Sequence, residues 1–481
     1  MSLDNHKGKV LLLLLGLTLA RGLIYSAVVP PWQAPDEPQH FEYVKLLYEK
    51  RRLVGWGDVT PSVEQEIIAS MDRHNFWQFG VFTGPATPSP QAQFTTFSQI
   101  WRETQHELHQ PPLSYLLYVI PLALTAAEDT ALQLYAMRIV SVFLSMLVVM
   151  ITFWTTKELF PENSLLTFFV PAFVIFLPSH TFTTSAVNND HLAEVFVSIL
   201  ISFWVLSFRR GLSLWRSVGI VVAGISGLLA KRTALVAIPL CGSGICLYLL
   251  GRDIRRRFSW KKGFIVIAVI VVIVTIVALG LWSWARTTAE ANRIESGLEW
   301  LLHFYLFLPS DRQPFSLGQD YFGPEALAIY RYYAKTMFET FWARFGWYNI
   351  YIDTILYSLV AFCSLLVLGG LCLLLVRAIR GHSRLTGWQK RVLLFYALTV
   401  LFAVCIGVGA RIRYWDMESF GAPHGRYLYP VMLPIATLFI LGLRELVAVR
   451  YRQLWLGGWL CGMILFDVVC LVKYIVPFYY G

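Results

Sequence analysis

Asp36, Glu37 and His40 fall within five residues of one another, in the proline-rich stretch PPWQAPDEPQHFEYV from Pro30 to Val44. A carboxylate partly shielded from water beside a second acid can have its pKa raised toward working pH, and can then take a proton from a hydroxyl. A plainer reading exists for the same residues. Asp36 at a helix N-cap with Gln39 three positions on is a capping-box pattern ahead of Phe41, Val44 and Leu47, worth about 1 kcal/mol. The two readings are compatible, because a cap also fixes a carboxylate in place.

Further along, His106 and His109 precede Gln110, Pro111 and Pro112. With Asp36 or Glu37, these histidines have the donor types for a divalent metal, with Asp36, Glu37 and His109 the candidate ligands. Hydrogen bonding at a wet interface would explain them equally. Arg138 lies near the expected start of an apolar run. It can snorkel to headgroups, or match a phosphate with two parallel hydrogen bonds. Asn188, Asn189, Asp190 and His191 stand just before another run. An acid there is either a cap or a functional group, since an unpaired charge at that depth is costly. Lys231 and Arg232 interrupt a nearly continuous apolar stretch, and Arg411, Arg413, His424 and Arg426 form a second basic set. Two basic sets facing an acidic pair suit a substrate with a phosphate at one end and a reacting carbon at the other. Tyr330, Phe341, Trp342, Arg344, Phe345 and Trp347 make an aromatic-rich stretch that suits an interfacial belt or a sugar-stacking surface.

The elements that must hold these groups are membrane helices. The chain has 481 residues, 56% hydrophobic and 15% charged, and its mean hydropathy is +0.56. Apolar runs of about 20 residues recur, enough to span hydrocarbon as helices. The net charge of +10 does not point to nucleic acid, because the basic residues fall in short loops between apolar runs. The seven cysteines lie in or at the ends of those runs, and read as small core residues, not as a disulfide framework. Lys7 and Lys9 ahead of LLLLLGLTLA resemble a signal peptide. Arg21 follows with no small-residue cleavage site, so the reading is an uncleaved first helix.

The basic residues set the expected sidedness. Lys7 and Lys9 put the N-terminus inside, and the first helix, near 8–29, delivers Pro30 to the outer face. A long segment, 30–110, follows; at about 80 residues it is of the kind usually functional. Within it, Thr60-Pro61 reads as the start of a helix with Val63, Ile67, Ile68 and Met71 on one face, suited to the membrane surface. The next apolar stretch, His109 to Ala126, is short. If it crossed fully, Arg209, Arg210, Arg255–Arg257 and later basic clusters would all face outward. As a re-entrant or surface helix it leaves them inside, and gives roughly eleven crossings. After the first helix these run near 134–156, 164–180, 190–208, 214–230, 232–250, 263–285, 353–376, 391–410, 426–444 and 454–474. The second long outer segment is 286–353. The expectation is a single all-α polytopic membrane domain, 1–481, with its chemistry gathered on the outer face.

The motifs APDEPQHF, HQPPLSYLL, AMRIVSV, NNDHLAEVF, LLAKRTALVAIP, ETFWARFGW and HGRYLYPVMLP occur in this order. The ordered set resembles the GT-C superfamily of membrane glycosyltransferases. Within it, the likeness is to protein O-mannosyltransferases, the lipid A aminoarabinose transferase and a prokaryotic membrane family with a PDE…H signature. The resemblance implies a GT-C-like bundle, a polyprenyl-phosphate sugar donor and a glycan, lipid or protein acceptor. It also implies a site facing outward from a prokaryotic plasma membrane. By position it makes Asp36 the acid of the first outer loop, Arg138 the arginine associated with the donor phosphate, and Asp190 the second acidic motif. His109 and Gln110 depart from the acidic-basic pair of the aminoarabinose transferase, which weakens the carry-over of metal binding. The expected reaction is inverting transfer, with Asp36 as base, Glu37, His40 and His109 orienting, and Arg138, Lys231 and Arg426 on the leaving phosphate. Two alternatives belong to other classes. One is a lipid-linked oligosaccharide transporter or flippase, which needs charges along a path through the bilayer; the other is an inactive structural subunit.

Overall fold

The computed structural model describes residues 2–55, 58–79, 94–100, 106–251, 324–412 and 422–481. The expected crossing at 263–285, the first part of the 286–353 segment and Arg413 lie outside the described residues. So do the side chains of His106, His109 and Arg411.

Helices dominate, in the order α1 (Ser2–Val28), α2 (Glu37–Lys50), α3 (Pro61–Arg73), α4 (Leu113–Leu124), α5 (Thr130–Leu159), α6 (Ser164–Ile175), α7 (Pro178–Thr184), α8 (Asp190–Arg210), α9 (Leu214–Ala230) and α10 (Ala237–Leu249). After the undescribed stretch come α11 (Pro324–Trp342), a two-stranded hairpin of β1 (Arg344–Phe345) and β2 (Ile350–Tyr351), α12 (Thr354–Ile379), α13 (Gly387–Ile412), α14 (Met432–Glu445) and α15 (Arg452–Val469). Among the described residues, eight helices are long and apolar enough to cross a membrane, or nine if α6 and α7 make one span bent by 63°. The chain is a multi-pass membrane protein. Helix α4 has 12 residues, and at about 1.5 Å per residue it falls well short of the roughly 30 Å hydrocarbon layer.

Local sequence explains the helix starts. Asp129 accepts from Ala131 N at the head of α5, and Asn163 from Leu166 N at the head of α6. Helix α6 ends at Ile175 and Pro178 opens α7, as proline suits a first helical turn. The Thr181 hydroxyl answers the Ile175 carbonyl at 3.0 Å and also accepts from Arg21 Nη1 at 2.8 Å. Arg21 is a charge inside α1, and Asp467 of α15 pairs with it, joined by the Tyr25 hydroxyl at 2.8 Å. Such groups are tolerated in an apolar layer when each has partners.

One large apolar cluster joins α5, α6, α8, α13 and α14. A second joins α2, α3 and α4 to the first turns of α5 and holds Trp32, Phe41, Val44, Ile67, Met71, Tyr115, Tyr118 and Met137. The face of α3 that the sequence suggested for the membrane surface packs here, against protein. The cysteines depart from expectation in part: Cys246, Cys372, Cys405 and Cys461 are exposed on apolar helices, while Cys470 is buried as expected of a core residue. The two ends of the bundle differ in charge. One holds Arg209 and Arg210 on Glu158, and Arg377 and Arg452 on Glu445. The other carries the segments that follow α1, α7, α9 and the hairpin.

Candidate active site

The chain leaves α1 and turns sharply, with Trp32 at φ 72° and Asp36 at φ 62°. This left-handed conformation is uncommon for non-glycine residues, though asparagine and aspartate adopt it more readily than most. Asp36 occupies the N-cap position of α2, but its side chain makes no capping bond. It faces Arg426 instead, with Oδ2 accepting from Nη2 at 2.5 Å. The next residue points elsewhere. Glu37 is fully buried, and its two oxygens accept from Arg138 Nε and Nη2, Trp32 N and Val187 N. Arg138 gives its remaining hydrogens to the carbonyls of Ser26, Val29 and Pro30. All five guanidinium donors are spent. Expected as a phosphate ligand, Arg138 has none left for one, and Glu37 has no free edge toward Asp36 or a metal. The pair is a clamp that ties the start of α2 to α5 and to the end of α1.

Below Asp36 a second ion pair joins Asp190, the first residue of α8, to Lys231 at 2.7 Å. Ser114 Oγ bonds the carbonyls of Ala230 and Asn189, which ties the ends of those two helices to α4. Beside this pair lies a relay. The Tyr115 hydroxyl donates to Glu107 Oε2 at 3.0 Å, accepts from Asn189 Nδ2 at 3.0 Å, and stands 3.0 Å from His40 Nδ1. Tyr43 stacks on Tyr115 at 3.9 Å and bonds the Gln110 carbonyl. The Gln110 side chain accepts from Arg232 N at 3.5 Å.

The β1–β2 hairpin covers this floor. Its turn has Gly346 and Tyr348 at positive φ, 60° and 65°. Trp347 Nε1 pins it to the Trp32 carbonyl at 3.0 Å. Tyr348 stacks on His424 at 4.0 Å, with the Arg426 guanidinium 5.9 Å from its ring centre. Arg344 is held by the Tyr348 carbonyl and lies over Tyr351 at 4.1 Å. A cleft opens between Pro35, Thr183, Asn188, Arg344, Tyr348 and Arg426. Phe341, Trp342 and Phe345, which the sequence offered as sugar-stacking residues, are buried in the bundle.

Burial pushes the His40 imidazole below its ordinary value, against the opposing pull of Glu107 and Asp36; Lys231 and Arg426 add to the fall. Burial, then Glu107, raises the Tyr115 phenol well above the usual range. Burial also raises Tyr348.

Asp36, His40, Asp190, Lys231, Arg426, His424 and Arg344 are thus brought to one end of the bundle, with Asn189, Gln110 and the Arg232 backbone supporting them. Sequence reading missed Glu107, Tyr115 and Tyr348. Glu107 sits in a polar stretch without periodicity, and Tyr115 in an apolar helix where a tyrosine reads as an interface residue. Asp36, His40 and Glu107 each offer a ligand atom within 4.8 Å of the others. This mixed oxygen and nitrogen set fits a divalent metal, with Tyr115 as an outer partner. Compared with the expected ligands, Glu107 stands where Glu37 was placed.

No protein-family model matches the chain, and no curated protein matches it. Solved structures are similar to it. Apo ArnT from Cupriavidus metallidurans shares 12% identity at a TM-score of 0.47, over 97% of this chain and 73% of that one. ArnT from the same organism bound to undecaprenyl phosphate shares 14% identity at 0.44, over 98% and 77%. The apo oligosaccharyltransferase of Archaeoglobus fulgidus shares 10% identity at 0.44, over 98% of this chain and 55% of its own, so this chain spans about half its length.

Proposed function

We propose that this protein is a membrane glycosyltransferase of the GT-C type. It moves a sugar from a polyprenyl-phosphate donor to a hydroxyl of a glycan, lipid or protein acceptor. The site faces outward from a prokaryotic plasma membrane, and the product has inverted anomeric configuration. The observation that carries this reading is Asp36. It is a partly exposed carboxylate, held in a left-handed turn, unused as a cap, and paired with Arg426, which lines the cleft.

The roles follow from what each side chain has left to give. Asp36 removes the acceptor proton as the acceptor oxygen attacks the anomeric carbon. The electron pair of the breaking bond leaves on the phosphate. Arg426 is paired with Asp36 at rest; an arriving phosphate competes for that guanidinium, which frees the carboxylate to act as base. Lys231 lies close by, tethered to Asp190. Arg138 and Glu37 act as scaffold, in place of the phosphate-binding and orienting roles expected of them. A divalent cation held by Asp36, His40 and Glu107 would supply Lewis-acid stabilisation of developing negative charge. Membrane lipids surround the bundle and deliver the donor.

Asp36→Asn in full-length protein, assayed with labelled polyprenyl-phosphate sugar, is expected to lose transfer by at least roughly 10²-fold. Expression and donor binding should persist. Near-normal turnover would overturn the reading, and movement of the donor across liposomes without transfer would favour a flippase.

A further inference from the structure

At the end of the bundle away from Asp36, three helices meet around one acid. Helix α12 ends at Ile379, α14 ends at Glu445, and α15 begins at Arg452. Glu445 accepts from Arg377 Nη1 at 2.5 Å and from Arg452 Nη2 at 3.4 Å, so each carboxylate oxygen already holds an arginine. Its sequence neighbour Arg444 is half-buried, and among the described residues its guanidinium bonds to none. The charges that bear on Arg444 are Arg452, Glu445 and Arg384: two of its own sign, and one acid already engaged. The nearby carbonyls are taken too. That of Leu443 accepts from Trp455 Nε1 at 3.0 Å and from Leu446 N, and that of Arg444 itself from Arg452 Nε at 3.2 Å. A guanidinium has five hydrogens to give and cannot shed its charge. Arg209 and Arg210 at the same end show the ordinary solution, both closed on Glu158 at 2.9 and 2.7 Å. An inner-face excess of basic residues accounts for arginines that reach water. It does not account for one packed against its own kind.

We propose that Arg444, with Arg384, Arg452 and Arg377, binds the phosphate of an anionic phospholipid in the leaflet at that end. A guanidinium fork matches phosphate oxygens with two parallel hydrogen bonds. Four arginines against one glutamate leave three positive charges in excess. That excess favours an acidic headgroup over a zwitterionic one, whose amine it repels. The flanks favour a lipid over free phosphate. Val376 and Ile379 of α12 and Leu454 of α15 are exposed apolar side chains beside the cluster, placed for acyl chains. Trp455 is partly exposed with its indole N–H satisfied, as suits a ring at headgroup level. The site stands apart from the cleft, and the proposal does not depend on the transferase reading.

Native mass spectrometry of the full-length protein, released from mild detergent with added phosphatidylglycerol or phosphatidylcholine of the same acyl chains, tests it. Wild-type protein should retain phosphatidylglycerol at least about fivefold more strongly. Arg444→Gln and Arg384→Gln should each weaken that binding by about fivefold, the effect of one basic residue near a lipid surface, and leave phosphatidylcholine unchanged. Arg384 is exposed, so its variant carries the test if Arg444→Gln fails to fold. Arg210→Gln, which removes an arginine paired with an acid, should leave the preference in place. Equal retention of the two lipids would overturn the proposal. So would a loss in Arg210→Gln as large as in Arg384→Gln, which would mean a diffuse surface field. Displacement of phosphatidylglycerol by millimolar inorganic phosphate would make the ligand a soluble anion, and would overturn the lipid assignment.

Discussion

At the scale of single residues, neighbours in sequence do opposite work. Asp36 is partly open and faces Arg426, while Glu37 is sealed against Arg138 with every bonding position occupied. Removing one member of a buried ion pair strands the other, at a cost of about 3–5 kcal/mol. Arg138→Ala should therefore lower thermal stability in detergent by an amount of that order. A phosphate ligand would behave differently: stability would hold, and donor affinity alone would fall. Arg138→Lys should not rescue, because an ammonium cannot reach two carboxylate oxygens and three carbonyls at once. The sequence offered Arg138 a lipid headgroup or a phosphate as partner, and did not show the clamp on Glu37. What decides is how many donors remain after the fold has taken its share, and only contacts across 101 positions reveal that count.

At the scale of elements, the apolar helices were readable because hydrocarbon demands long uninterrupted runs. The expected crossings at 190–208, 214–230, 232–250 and 353–376 correspond to observed helices at Asp190–Arg210, Leu214–Ala230, Arg232–Leu249 and Thr354–Ile379. The stretch at 164–180 was read as continuous and is broken, because Pro178 restarts the helix in a new direction. The conformations of the joints that carry site residues were not readable. The turn holding Arg426 shows why. A methyl group at Gly425 would lie 2.2 Å from the backbone nitrogen of Phe341 in α11. Backbone cannot yield as a side chain can, so Gly425→Ala must push the Arg426 turn away from Asp36. Transfer should fall on the order of 10²-fold for a displacement near 1 Å, with the protein still folded by size-exclusion chromatography. Gly409→Ala, which meets nothing within 4 Å, is the matched control.

At the scale of the whole molecule, the charges sort by end. Arginines crowd the end opposite the site, and the acids and histidines gather around Asp36. The proposed outward-facing site rests on this sorting and the positive-inside bias. Asp353→Cys, exposed at the site end beside Lys473, should react with a membrane-impermeant maleimide on intact cells. Arg210→Cys, exposed at the far end, should react only after permeabilisation. The reverse pattern would put the chemistry in the cytoplasm. The gathering of the site at one end was legible as an expectation, since topology alone brings those loops together. The packing of α3 on α2 was not, because an amphipathic face does not say whether lipid or protein covers it.

The partnership between Asp36 and Arg426 spans 390 positions. At a translation rate of about 5–20 residues per second, the acid waits roughly 20–80 s on the ribosome for its arginine. Through that interval the nascent chain has a carboxylate but no completed centre. Biogenesis thus imposes a timer: a half-made copy in the membrane holds the acid without its basic partner until the rest of its own bundle has arrived.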